Sequence, residues 1–426
     1  MPADHNRGRS TPEAGAIKAL CIFVALHVML SVDRSIMVVA LEPLRNEFKL
    51  SDTQLGLLTG IGFAFFFGLA GLPLGYMVDR WNRRNILAAS TGLFSLMTLL
   101  ASFVTSFPQL LATRLLVGAG EAGGTPSMLS MLSDLFPPEQ RARAMSIYYS
   151  GVPLGGIVVL FAGAWIAQTF GWRTLFLVAG VPGLVLALLL LVFVREPARK
   201  QQVGVRDKTD IRATLRFMWS QRAVRHLIFM TIVGSAASLG LFFFTVSFLV
   251  RAHNYSLAEA GFLMGASYGV VGLFATVLSG AIVDRLARRD ERWRPWFCSI
   301  VSLVSCASII GMALATGPIG ITIGVCMWAF SSMATYGPTL ALLQSLVGAR
   351  MRGTASAAYL FMSYFVGASL GPQFVGSLSD VLTPHYGANG LAIAIMCAAL
   401  LYCWGAAHYF LAARTVRADL VRATGA

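Results

Sequence analysis

Apolar residues along this chain do not recur at the spacing of a half-buried helix. They gather instead into runs long enough to cover the hydrocarbon core of a bilayer, which takes roughly 20 residues per helical crossing. Such runs fall at 17–42, 53–77, 85–106, 109–135, 144–168 and 173–194, and again at 226–250, 257–283, 296–316, 319–345, 355–381 and 388–411. The pattern predicts an all-α membrane protein of twelve transmembrane helices. Short polar turns separate the runs, with one longer polar stretch at 195–225 and tails at 1–16 and 412–426. An even number of crossings places both termini on the same side.

Charge decides which side that is. Of the 33 lysines and arginines, 27 lie in the tails and the turns on the terminal side, whereas the opposite turns hold only Arg45, Lys49, Arg173 and Arg251. Basic residues stay on the cytoplasmic side, so both termini are expected in the cytoplasm and the protein in the cell (inner) membrane. Composition agrees: 56% of residues are hydrophobic and 12% charged, against about 25% charged in soluble domains. The net charge of +14 is spread over many turns, so anionic membrane lipid is the expected partner and nucleic acid is not. The six cysteines, Cys21, Cys298, Cys306, Cys326, Cys397 and Cys403, lie in or beside apolar runs without a CxxC pair. They read as small core residues, and no metal site or cofactor is expected. Residues 1–15 lack the apolar segment of a signal peptide, so the first run is expected to stay in the mature chain. None of the four lysines follows a glycine, which excludes the GxxxxGK[ST] phosphate loop of an ATP-driven pump. No set of nucleophile, base and orienting group suggests an enzyme.

The runs form two similar halves. Gly75-Tyr-Met-Val-Asp79-Arg80-Trp-Asn-Arg83-Arg84 recurs 205 residues later as Gly280-Ala-Ile-Val-Asp284-Arg285-Leu-Ala-Arg288-Arg289, with six of ten positions identical. A weaker echo pairs Arg141-Ala-Arg143 with Arg350-Met-Arg352. Repeated six-span units are typical of secondary transporters that alternate access around a midplane site. We therefore expect pseudo-symmetric six-helix bundles at 17–194 and 226–411, joined by a cytoplasmic linker at 195–225. The repeated pattern has the chemistry of a cytoplasmic latch. Its glycine permits close helix approach, its aspartate can accept from a helix N-terminus, and its arginines can reach a carboxylate such as Asp134. In the second copy Gln344 stands near the place corresponding to Asp134.

GxxxDRxxRR between the second and third spans resembles the signature of the major facilitator superfamily. Further motifs resemble its bacterial spinster-type branch: Asp33-Arg34, Arg114-Leu-Leu-Val-Gly-Ala-Gly-Glu121-Ala-Gly-Gly, Ser133-Asp134-Leu-Phe-Pro-Pro-Glu-Gln-Arg141, Gly151-Val-Pro153-Leu-Gly155-Gly156, Gly171-Trp-Arg173 and Arg195-Glu196-Pro197. The resemblance implies a twelve-helix carrier, working as a monomer, whose animal relatives move lysophospholipids and sphingosine-1-phosphate, in some cases with protons.

Ionisable residues deep in a span are costly and mark function by default. Asp33, Arg34, Arg114 and Glu121 are the four here. Arg114 and Glu121 share a helical face about 10 Å apart, while Asp33 and Arg34 diverge by about 100° and need partners on other helices. Two interhelical salt bridges that merely hold the bundle together are the bland alternative. The functional one gives an anionic headgroup to Arg34 and Arg114, and a proton to Glu121 or, second, Asp33. Gly151, Pro153, Gly155 and Gly156 allow a close crossing and a bend, read as a hinge, although Ile147 stands where an antiporter motif has its leading glycine. His27 shares the face of Arg34 and reads first as hydrogen-bonded structure; His5, His253 and His385 read as solvated.

The second half is nearly free of deep charge but rich in aromatics and hydroxyls, with Phe244, Tyr268, Tyr336, Tyr359 and Tyr364 as candidate cavity lining. A cavity charged on one wall and aromatic on the other would suit an amphiphilic anion such as a lysophospholipid or a sphingoid phosphate. The expected function is thus secondary active, proton-coupled transport of such a molecule. Carriage of small organic anions or drugs is the alternative within the class, and a non-transporting membrane sensor the alternative outside it.

Overall fold

The structure, a computed structural model, describes residues 14–199, 211–348 and 351–424. His5, Arg350 and the middle of the 195–225 linker lie outside the described residues. Ten helical stretches among the described residues are long and apolar enough to cross a membrane: Gly15–Phe48, Asp52–Arg80, Arg83–Ala101, Pro138–Phe170, Trp172–Phe193, Arg222–His253, Leu257–Ala287, Trp293–Leu314, Pro318–Ser345 and Gly390–Ala423. The other two expected crossings are helical but interrupted. Span four is Phe107–Glu121 followed by Gly124–Leu135, and span eleven runs through Arg352–Phe361, Met362–Ala368 and Ser369–Tyr386. With these the fold is two pseudo-symmetric bundles of six helices.

Several helices outrun the apolar stretches that announce them. Span one continues to Phe48 rather than 42, span five begins at Pro138 rather than 144, and the last helix extends to Thr424. Hydropathy registers only the part of a helix that sits in hydrocarbon, so polar ends that protrude from the bilayer escape it. Local chemistry fixes the starts. Ser51 and Gln54 form a capping box at the start of span two, and Ser256 with Glu259 does the same for span eight. Part of the linker is also helical, Ile211–Ser220, with Met218 buried against Leu227 of span seven and Ala355 of span eleven.

The halves meet along two main seams, span two against span eleven and span five against span eight, and span one also touches span seven. At the end that carries Arg45, Arg173 and Arg251 the contact is intimate. A β-carbon added to Gly56 would stand 2.6 Å from the carbonyl oxygen of Pro372, and one at Gly60 would stand 2.5 Å from that of Ser369. Only glycine allows backbones to approach so far. At the basic end the picture reverses: a β-carbon on Gly75 or Gly280 would meet nothing within 4 Å. The structure is therefore closed at one end and open at the basic end. Each of the four seam helices also departs from regular α geometry. Span two breaks at Gly60, and spans five, eight and eleven carry wide π turns at Val159–Gly163, Ser267–Val271 and Met362–Ala368.

Candidate functional site

The four deep ionisable residues come together between spans one and four. Arg34 Nε donates to Glu121 Oε2 at 2.6 Å, and Arg114 Nη1 lies 3.5 Å from Asp33 Oδ2. Helical geometry dictates these partners. Asp33 and Arg34 point apart on span one, while one turn-matched face of span four holds Arg114 and Glu121 two turns apart, so each residue of the first pair finds one of the second. Thr98, on span three, joins them. Its hydroxyl donates to Asp33 and accepts from Arg114 Nη2 at 3.4 Å. Asp33 also lies alongside Glu121. Each guanidinium stands over an aromatic ring, Arg34 over Phe67 and Arg114 over Phe176, both 5.4 Å from the centroid. Thr98 carries no signal in the sequence, because a lone threonine in an apolar run reads as packing.

Burial separates the two pairs. Arg114, Asp33 and Glu121 are enclosed, whereas the Arg34 side chain is 34% exposed. Arg34 is flanked on span one by Ser31 and Ser35, both of which line the central cavity. Arg114 is thus enclosed, whereas Arg34 is partly exposed beside two residues that line the cavity. Glu121 Oε1 and Arg114 Nε are buried without a hydrogen-bond partner, a condition that costs about 1–3 kcal/mol for each orphaned group.

The cavity holds about 570 Å³ and opens between the halves. Tyr268, Tyr336, Tyr359 and Tyr364 line it, together with Tyr402, Tyr409 and twelve serines and threonines, and no charged side chain is among its lining residues. Phe244 does not line it. It is fully buried in the core, and Phe242, two positions back and so about 200° around span seven, takes the cavity face instead. Phe242, Tyr268 and Trp328 form a chain of edge-on rings 5.1 and 5.2 Å apart. The hydroxyl wall thus belongs mainly to the second half, and the charges to the first.

Span five crosses span one where the Gly151-Val-Pro153-Leu-Gly155-Gly156 segment lies. Gly151 and Gly155 pack on His27, Val28 and Ser31, Pro153 faces the cavity, and Gly156 borders open space. His27 Nδ1 bonds the carbonyl of Tyr148 at 3.1 Å and its ring stacks on Tyr148. That is a structural histidine. His253 is the last residue of span seven and is half-buried against Phe248 rather than solvated, while His385 is exposed.

In the first latch sequence Arg83 is buried and bonds Asp134, and its Nε also bonds Glu196 Oε1 at 2.7 Å. Arg84 donates its backbone N–H to the same Glu196, and Arg199 donates to the carbonyls of Val78, Asp79 and Trp81 at the end of span two. All of these contacts stay within the first half and the start of the linker that follows it. They exist while the basic end is open. Arg80 stacks over Tyr76, and Asp79 is exposed. In the second copy Asp284, Arg285 and Arg288 are exposed without an ion pair among the described residues.

The sequence reading missed the network that closes the other end. Arg251, from span seven, bonds Glu42 at 2.7 Å and Asp52 at 2.9 Å. Asp380 of span eleven accepts the backbone N–H groups of Asp52 and Thr53 at 2.9 and 2.7 Å, and Ser379 donates to Asp52 at 2.6 Å. Arg45 and Arg251 counted there only as exceptions to the charge bias, although both stand near helix ends where acidic residues gather.

The architecture and a central cavity between two bundles are those of a membrane carrier. The sequence profile of the Major Facilitator Superfamily matches residues 23–372, and the chain belongs to that family. An MFS-type efflux pump of Mycolicibacterium smegmatis is 33% identical over 402 residues, covering 92% of this chain and 91% of the pump. The sphingosine-1-phosphate transporter SPNS2 of Danio rerio is 28% identical, covering 84% of this chain and 75% of that protein. The crystal structure of a bacterial homologue of the human lysosomal transporter Spinster, inward-facing and unoccupied, superposes with a TM-score of 0.87 at 27% identity, covering 96% of this chain and 99% of the homologue. The chain is thus a transporter of spinster type and not an enzyme.

Proposed function

We propose that the protein carries an amphiphilic anion, such as a lysophospholipid or a sphingoid phosphate, by alternating access coupled to protons, with its basic end in the cytoplasm. The observation that carries this reading is the Arg34–Glu121 pair beside the cavity: one partner is reachable and the other is sealed. An anionic headgroup arriving at Arg34 competes with Glu121 for the guanidinium. Glu121, losing its cation in an enclosed site, must take a proton or restore the pair, because an unpaired buried carboxylate is far too costly to persist. Its unpartnered Oε1 is an available acceptor. Headgroup binding and protonation thus favour each other, and departure of the anion lets Arg34 reclaim a carboxylate that has released its proton. Asp33, held by Arg114 and Thr98, stands alongside Glu121 and helps to position it. The tail would lie along Phe242, Tyr268 and the neighbouring rings. The name of the Danio rerio relative, a sphingosine-1-phosphate transporter, agrees with a substrate of this class.

The test is pH-gradient-driven transport and counterflow of a labelled lysophospholipid in proteoliposomes. Glu121→Gln should keep counterflow and lose the response to the gradient. A variant with full gradient-driven transport would remove Glu121 from the mechanism. The hydroxyl-rich cavity wall favours a second reading, a small polar organic anion. Dependence on acyl-chain length separates the two: each added methylene should tighten binding of an amphiphile by about 0.8 kcal/mol, and a flat series would move the small anion to the front.

A further inference from the structure

Outside the transport path, the linker helix Ile211–Ser220 presents Ile211, Leu215 and Trp219 as one exposed stripe, four residues apart. Trp219 is 55% exposed yet lies 6.3 Å from the ring of Phe229 on the outer flank of span seven. The apolar stripe therefore continues the bundle's lipid-facing surface at the basic end. Phe229 in turn stacks on His408 of span twelve, whose neighbour Trp404 is 56% exposed. Exposed tryptophans backed by a bundle wall are the mark of a bilayer boundary.

Polar groups at the same spot are arranged for an anion. Arg222, Arg225, His226 and Phe229 share one face of span seven by helical spacing. Neither Arg222 nor Arg225 pairs with a carboxylate of the described residues. The histidines settle their own protons: Trp404 Nε1 donates to His408 Nε2 at 2.9 Å, so His408 carries its hydrogen on Nδ1 and donates to His226 Nδ1 at 3.0 Å. His226 then carries its remaining N–H at Nε2, with no partner among the described residues.

We propose that this face binds an anionic phospholipid of the surrounding bilayer. Arg222, Arg225 and the His226 N–H take the phosphate, and the acyl chains lie against Phe229, Trp219 and Trp404. A soluble anion would use the arginines but leave the aromatic wall bare, and an apolar partner would leave the arginines unmatched. A lipid satisfies both.

The experiment is native mass spectrometry of the full chain released from nanodiscs of mixed phosphatidylglycerol and phosphatidylcholine. The unmodified protein should retain phosphatidylglycerol preferentially. Arg222→Ala/Arg225→Ala should cut that preference by on the order of ten-fold, whereas Arg289→Ala/Arg292→Ala, which removes equal charge elsewhere at the same end, should keep it. Equal retention of both lipids by the parent overturns the proposal, as does an equal loss in both double variants. So does a dimer that excludes lipid from this face, or displacement of the lipid by inorganic phosphate. Should the first double variant fail to fold, quenching in the unmodified protein decides: brominated phosphatidylglycerol must quench the fluorescence contributed by Trp219 and Trp404, read against Trp219→Phe and Trp404→Phe, more strongly than brominated phosphatidylcholine.

Discussion

The two ends of the molecule satisfy their charges in opposite ways. At the closed end Arg251 and Asp380 of the second half bind Glu42, Asp52 and the backbone of Asp52 and Thr53 in the first. At the basic end Arg83 pairs with Asp134 and Glu196, and Arg199 donates to the carbonyls of Val78, Asp79 and Trp81, all within the first bundle and the start of the linker that follows it. A charge paired within its own half is indifferent to whether the halves touch, whereas one paired across the seam holds them together. The closed end is thus latched by ions and the open end is not.

Breaking the latch should have the largest effect. Arg251→Ala leaves Asp52 and Glu42 without their cross-half cation, which for a buried pair costs about 3–5 kcal/mol. It should shift the population toward opening at that end, read as longer spin-label distances across the seam by double electron–electron resonance. An unchanged distribution would mean that apolar packing alone closes the end. Gly56→Ala tests the packing half of the same contact. Its methyl has no room beside Pro372, so it should open the same end by the about 1–3 kcal/mol typical of overpacking. Gly280→Ala sharpens the contrast. It meets nothing in this conformation and should leave the spin-label distances as they are, yet slow turnover if the basic ends must meet during the cycle.

The smallest effect belongs to an exposed pair at the basic end. Asp290, in the turn after span eight, accepts from the Arg292 N–H and pairs with Arg417 at 2.8 Å, which together hold its carboxyl below the usual carboxylate range. A depressed value means that its contribution is present at neutral pH and disappears as pH falls through the lowered value. Asp290→Asn should lower the melting temperature marginally at pH 7 and by nothing in strong acid. A loss that persisted in acid would assign the effect to the side chain's shape rather than its charge.

Much of this was legible in the chain because bilayers impose a coarse code. Run length gave the crossings, and the impossibility of pairing Asp33 with Arg34 pointed to partners on another helix. The interhelical network at Asp52 was not legible. Its members come from spans one, two, seven and eleven, and each alone reads as an ordinary polar helix end. Phe244 misled for a related reason: consecutive phenylalanines at 242–244 name a helix but not the face that meets the cavity. The helical linker segment 211–220 escaped because its apolar stripe is too short to stand out inside a charged stretch.

The wide turns of spans five, eight and eleven and the break at Gly60 put every irregular seam helix where the halves touch, while spans three, six, nine and twelve carry no such turn. A wide turn loosens the ladder of backbone bonds and is where a helix bends or slips register most easily. In mechanical terms the molecule is two stiff plates joined by compliant strips. Rocking strain would be absorbed along the strips, and the interruption of span four after Glu121 sets one further compliant point beside the charged cluster itself.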